Sequence, residues 1–193
     1  MFPITKEDTC CILEYKGETM EKLKLVISEK EIRIKIEELA EAISQDYAGK
    51  KPVFIGVLKG AFIFLADLVR KVSLEGLEID FVRLASYGLS DTTSGEVKII
   101  KDIELDLENK DVLVIEDIID TGITLDFFLK HLEKYKPNSV KVCCLIDKPQ
   151  RREIEVPIHY RGFYIREGFL VGYGLDFAEK YRQLPEVYEI VKE

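Results

Sequence analysis

Three carboxylates, Glu116, Asp117 and Asp120, fall within five consecutive positions, and the small residues Thr121, Gly122 and Thr124 follow at once. The run from Val112 to Leu125 reads V-L-V-I-E-D-I-I-D-T-G-I-T-L. Its apolar start has the character of a buried strand, and its end has the character of a first helical turn. A helix N-terminus offers backbone N–H groups without partners and the positive end of the helix dipole. Gly122 permits φ > 0 and a close approach of backbone to ligand, and the hydroxyls of Thr121 and Thr124 add donors. Together these make a cradle for a phosphate monoester. Glu116 and Asp117 are poorly placed to bind phosphate and suit sugar hydroxyls or a magnesium shell instead. A ligand with a phosphate at one end and ribose plus magnesium at the other fits both halves. The competing reading is an acidic helix start with Asp120 or Thr121 as N-cap, and the position behind a buried strand favours function. The segment is neither a G-x-x-x-x-G-K-[ST] phosphate loop nor a G-x-G-x-x-G dinucleotide fingerprint.

The elements around this segment predict what positions it. Lys24 to Ile27 reads as a short strand. Ser28 and Glu31 form an S-x-x-E capping box, after which Ile32, Ile36, Leu39, Ala40 and Ile43 recur at helical spacing up to Gly49. Val53 to Leu58 is a nearly continuous apolar run, as expected of a strand buried on both faces. Lys59-Gly60 and a helix from about Ala61 to Lys71 follow. Further strands are expected at Glu78–Tyr87, Val97–Ile100, Val112–Ile115 and Ser139–Ile146, with late short ones at Phe163–Ile165 and Phe169–Tyr173. The alternation of strand and helix through the middle predicts an α/β fold with a mainly parallel sheet and helices on both faces. In such sheets ligands bind beyond the carboxyl ends of the strands. The informative places are therefore Lys59-Gly60, Glu116 to Thr124, and Asp147-Lys148.

Composition narrows the class. The chain has 193 residues, enough for one domain with a sizeable core, and a formal net charge of −8. That charge argues against nucleic acid as a partner. No apolar run reaches the ~18 residues of a membrane span, and Met1 to Cys11 lacks the layout of a signal peptide, so a cytoplasmic protein is expected. Cysteine occurs only as the adjacent pairs Cys10-Cys11 and Cys143-Cys144, which suits reduced thiols better than disulfides or zinc. The only histidines, His131 and His159, read as surface or interface residues, leaving acid–base work to carboxylates.

The segment from Val112 to Leu125 resembles the phosphoribosyl-pyrophosphate signature of the type I phosphoribosyltransferases, and E-D-I-I-D-T-G resembles the hypoxanthine-guanine branch. Further similar pieces are Gly56 to Gly60, Ser86-Tyr87, Val140 to Lys148, and Phe169 to Asp176 with Arg182. Each is weak alone, and in this order they are highly specific. The similarity covers about Leu25 to Leu184. It implies a single domain over residues 1–193, with a core over about 25–150 and a small hood built from the N-terminal segment and about 151–193.

The resemblance also implies roles. Glu116 and Asp117 would hold the ribose hydroxyls, directly or through Mg2+. Asp120 would be the general base or acid at purine N7. Asp120, Thr121, Gly122, Ile123 and Thr124 would bind the 5-phosphate; some relatives carry a basic residue where Ile123 stands. Leu58, Lys59 and Gly60 would meet pyrophosphate, with a cis peptide before the lysine, and Arg182 would join them. Lys148 would donate to the oxygen at purine C6, and Phe169 would stack on the base. Leu170 and Asp176 would line the base pocket, Asp176 also reaching a magnesium ion. Ser86 and Tyr87 would sit at the base of a lid formed by Gly88 to Glu96. Taken alone, Lys148 reads as a solvated lysine and Phe169 as core.

The implied reaction joins phosphoribosyl pyrophosphate to hypoxanthine or guanine with release of pyrophosphate, in a homodimer or homotetramer. An RNA-binding regulator of the same fold, an enzyme acting on a pyrimidine or adenine, and a silent homologue are the alternatives. The net charge, Lys148 with the Phe169 segment, and the three carboxylates argue against them in turn.

Overall fold

A computed structural model describes residues 10–11, 22–86 and 97–191. In chain order the elements are β1 (Cys10–Cys11), β2 (Lys22–Ile27), α1 (Glu29–Asp46), β3 (Val53–Leu58), α2 (Phe62–Val69), β4 (Glu78–Ser86) and β5 (Val97–Lys101). There follow β6 (Asp111–Ile119), α3 (Ile123–Leu132), β7 (Ser139–Asp147), β8 (Tyr160–Tyr164), β9 (Leu170–Val171) and β10 (Val187–Val191). Tyr87 and the loop from Gly88 to Glu96 lie outside the described residues.

The larger sheet has the order β5-β4-β3-β6-β7-β8, parallel throughout except for the β4–β5 pair. Its central strands alternate their side chains between two cores, as the two-residue strand period requires. Phe54, Leu113, Ile115, Cys143 and Leu145 pack with α1 and α2 on one face. Val53, Ile55, Val112, Val114 and Cys144 pack with α3 on the other. The expected capping box is formed: Ser28 Oγ accepts from Glu31 N, and Glu31 accepts from Ser28 N. All five residues predicted for the inner stripe of α1 are buried.

A second sheet, ordered β1-β2-β10-β9, joins the N-terminal and C-terminal segments as the hood. Its strand β10 is not foreseen from the sequence. β8 begins at Tyr160, before the predicted Phe163, because Tyr160 and Arg161 already pair with Cys143 and Cys144. β9 is only two residues long, since Gly172 and Gly174 turn the chain with φ of 95° and 99°. Among the described residues, no helix is long and apolar enough to cross a membrane.

The histidines sit away from the sheet's carboxyl edge. His131 is partly buried rather than on the surface: its ring meets Asp102 at 2.9 Å and lies against Phe127 and Phe128. His159 is exposed, and its Nδ1 accepts from Val142 N. Cys143 and Cys144 are free and buried, and burial pushes the Cys144 thiol up to about 12, so neither presents a thiolate.

Candidate active site

Strands β3, β6 and β7 are parallel neighbours, so their carboxyl ends emerge along one edge of the sheet. β3 delivers Leu58, then Lys59 and Gly60, with a cis peptide between Leu58 and Lys59 as the resemblance implies. β6 does not stop at Ile115. It runs on through Glu116 and Asp117 to Ile119, because its ladder to β7 continues with Glu116 opposite Cys144 and Ile119 opposite Asp147. The two carboxylates are therefore mounted on rigid strand. Lys148 N donates to Ile119 O at 2.9 Å, which brings the end of β7 beside Asp120.

Glu116 and Asp117 form a strained electrostatic pair. Burial raises the Glu116 carboxyl well above its ordinary range, and the neighbouring Asp117 charge adds to it. Burial pushes Asp117 up to about 6, against the opposing pull of the backbone N–H groups and Arg182. A Cβ on Gly60 would fall 1.7 Å from Asp117 Oδ2, so only glycine admits this carboxylate behind the β3 turn. Adjacent acids, Glu116 buried and Asp117 partly so, are costly until a cation or hydroxyl donors arrive. Magnesium is commonly held by one or two carboxylates together with substrate oxygens and water, and Glu116 with Asp117 fits that donor set.

The raised pKa values carry a sign. Asp117 binds its proton more tightly folded than unfolded, so its contribution to stability is present below about pH 4 and is lost as pH rises through about 6. The expected result is that Glu116→Gln/Asp117→Asn melts higher than the wild type without ligand at pH 8, by roughly 3–6 °C. The gain shrinks at pH 5. Thermal melts at the two pH values check this.

Asp120 follows β6. Its Oδ2 pairs with Arg151 at 2.9 Å, whereas its buried Oδ1 has no hydrogen-bond partner among the described residues. The helix α3 begins at Ile123 with Gly122 as N-cap at φ 86°, rather than with Asp120 or Thr121 in that place. Thr121 Oγ1 accepts from Ile123 N at 3.4 Å, and Thr124 lies in the first turn.

The back of this loop is fastened by residues that the sequence reading missed. Arg152, nearly fully buried, donates to Asp120 O at 2.9 Å and Ile119 O at 3.3 Å, and pairs with Asp147 at 2.5 Å. Arg161 also pairs with Asp147 at 2.8 Å. Glu153 N and Ile154 N donate to Thr121 O, and a Cβ on Gly122 would meet Ile154 O at 2.2 Å. An available signal was Asp147 itself: a charge ending an apolar strand needs a buried partner, and arginines follow closely.

On the base side, Lys148 is only 4% exposed, so it is not a solvated lysine, and its Nζ donates to Gly168 O at 2.7 Å. Phe169 is 50% exposed rather than core, and its ring meets Phe177 edge to face at 5.4 Å. Lys148, Arg151, Gly168 and Phe169 border a cavity of about 340 Å³. Leu170 is buried in the core and does not border this cavity. A cavity of about 400 Å³ between α1, α2 and Gln183–Pro185 contains none of the predicted site residues.

The loop between β9 and β10 supplies the last group. A Cβ on Gly174 would lie 2.1 Å from Gly60 O, so this loop packs tightly on the β3 turn. Arg182 donates to Gly174 O and pairs with Asp176 Oδ1, both at 2.7 Å, and Glu179 N donates to Asp176 Oδ2. Both oxygens of Asp176 are thus held by protein donors. Lys59 Nζ pairs with Glu179, which the sequence reading did not single out, at 2.7 Å; this pairing lowers the Glu179 carboxyl below its ordinary range.

A mainly parallel sheet with these groups around its carboxyl edge agrees with comparisons to known proteins. The family model for the phosphoribosyl transferase domain matches residues 27–178, and the chain belongs to this family. It is 44% identical to the hypoxanthine phosphoribosyltransferase of Buchnera aphidicola, over 88% of this chain and 96% of that protein. It is 45% identical to the hypoxanthine-guanine phosphoribosyltransferase of Bacillus subtilis, over 85% of this chain and 91% of that one. A crystal structure of a hypoxanthine phosphoribosyltransferase from Staphylococcus aureus superposes with a TM-score of 0.83 at 40% identity, covering 87% of this chain and 91% of the other.

Proposed function

We propose that the protein transfers the 5-phosphoribosyl group of phosphoribosyl pyrophosphate to hypoxanthine or guanine, giving IMP or GMP and pyrophosphate. One observation carries the reading: a buried lysine donates to a carbonyl one strand away from a carboxylate whose buried oxygen has no partner among the described residues. In the reaction a purine nitrogen displaces pyrophosphate from ribose C1, through a transition state resembling an oxocarbenium ion. Asp120 Oδ1 takes the proton of the attacking base. Lys148 turns from Gly168 O to the carbonyl at purine C6, and an ammonium, having no lone pair, favours that carbonyl over the amino group of adenine. Phe169 offers its exposed ring as the stacking platform.

Thr121 to Thr124, with Gly122 at φ 86°, cradle the 5-phosphate through backbone N–H groups and hydroxyls. Leu58, Lys59 and Gly60 meet the pyrophosphate with Arg182, and fixed positive charge there stabilises the leaving group. Glu116 and Asp117 would hold the ribose hydroxyls, directly or through a magnesium ion, and Asp176, now paired with Arg182, would also reach magnesium. Magnesium, when bound, supplies Lewis-acid neutralisation of the departing pyrophosphate.

The whole chain acts as one domain, with the β1-β2-β10-β9 sheet as its hood, in the cytoplasm and as a homodimer or homotetramer. Ser86 and Tyr87 would anchor a lid that excludes water from the cationic centre. Turnover of hypoxanthine, guanine, xanthine and adenine, each with magnesium and phosphoribosyl pyrophosphate, tests the assignment. Nucleotide from the 6-oxopurines and none from adenine is expected. Equal turnover of adenine contradicts the role of Lys148.

A further inference from the structure

Two cations assigned to pyrophosphate, Lys59 and Arg182, already share an anion from the protein. Glu179 Oε2 lies 2.7 Å from Lys59 Nζ and 3.6 Å from the Arg182 guanidinium. The carboxylate is 64% exposed, so nothing in the core forces it there. The backbone places it. Phe177 and Lys180 exchange hydrogen bonds of 3.2 and 3.0 Å, closing a two-residue turn over Ala178 and Glu179. Both turn residues have positive φ, 50° and 63°, and Tyr181 follows at 76°. A turn of this shape is usually built from asparagine and glycine, yet here it carries an acidic side chain. Asp176 holds the turn by accepting from Glu179 N at 2.9 Å, and Asp176 is itself paired with Arg182. The same loop sits hard against the β3 turn, as the 2.1 Å approach at Gly174 requires.

We propose that Glu179 is an internal competitor for the diphosphate subsite: its carboxylate fills the position between Lys59 and Arg182 that an oxygen of pyrophosphate takes, and it must leave before pyrophosphate is gripped. The inference rests on the assignment of Lys59 and Arg182 to pyrophosphate. An anion that returns when product departs keeps the subsite from holding pyrophosphate too tightly.

Removing the carboxylate separates this role from that of a residue that merely orients Lys59, because the two predict opposite signs. Steady-state kinetics would compare wild type with Glu179→Gln and Glu179→Gly; the second variant suits the positive φ and keeps the turn. The KM for phosphoribosyl pyrophosphate and the inhibition constant of pyrophosphate fall about two- to five-fold in both variants, the scale of an exposed ion pair. The KM for hypoxanthine stays unchanged. Constants that are unaltered or raised overturn the proposal. If the wild type turns over no base, the functional reading fails, and calorimetric titration with magnesium pyrophosphate still decides the inference. Tighter binding to Glu179→Gln upholds it, and equal or weaker binding overturns it.

Discussion

Asp120→Asn lowers kcat for nucleotide synthesis by about 10²- to 10⁴-fold, the usual worth of a positioned proton-transfer group, and leaves the binding of phosphoribosyl pyrophosphate largely intact. The local geometry makes this a clean test. The side chain leaves its Oδ1 without a hydrogen-bond partner among the described residues, while its backbone carbonyl is held independently by Arg152. An amide keeps the shape and loses the basic carboxylate. The partner left behind, Arg151, is 62% exposed on its side chain and is resolvated by water, so the fold is not expected to suffer. Rapid-mix turnover together with equilibrium binding of phosphoribosyl pyrophosphate separates the two quantities. Unchanged turnover removes Asp120 from proton transfer.

Lys148→Ala lowers kcat/KM for hypoxanthine about 10- to 100-fold, since a hydrogen bond from a charged donor is worth roughly 1.5–3 kcal/mol. The discrimination against adenine falls with it. A site built to hydrogen-bond one group rejects the analogue that lacks it, and without the ammonium that rejection is lost. The buried position of Lys148 means that its truncation also opens space beside Gly168, and Lys148→Met keeps that volume filled. Competition kinetics between hypoxanthine and adenine read the effect in both variants. Normal kinetics with hypoxanthine in Lys148→Met contradict the assignment.

The parts of the fold that could be read from sequence are those whose signals are local. The apolar stripe of α1 and the continuous run of β3 announce themselves within a few turns or residues, and both have the predicted positions. The carboxyl-edge rule then picks out the stretches that hold Lys59, Asp120 and Lys148. What escaped depends on distant partners. β10 pairs with β2 from the other end of the chain, and no local pattern reveals that match. β6 outlasts its apolar run because β7 continues to pair with it, so Glu116 and Asp117 sit within a strand that hydropathy ends too early. Arg152 acts on carbonyls 32 and 33 residues earlier in the chain. Glu179 owes its place to positive φ in a turn without glycine, a conformation its residue types do not advertise.

The most direct test of the central claim is the stoichiometry of products when the purified protein meets magnesium, phosphoribosyl pyrophosphate and hypoxanthine. The account predicts one IMP and one pyrophosphate formed for each hypoxanthine consumed, with no reaction when phosphoribosyl pyrophosphate is omitted. Pyrophosphate released without IMP, or hypoxanthine left untouched by a folded protein, would contradict it.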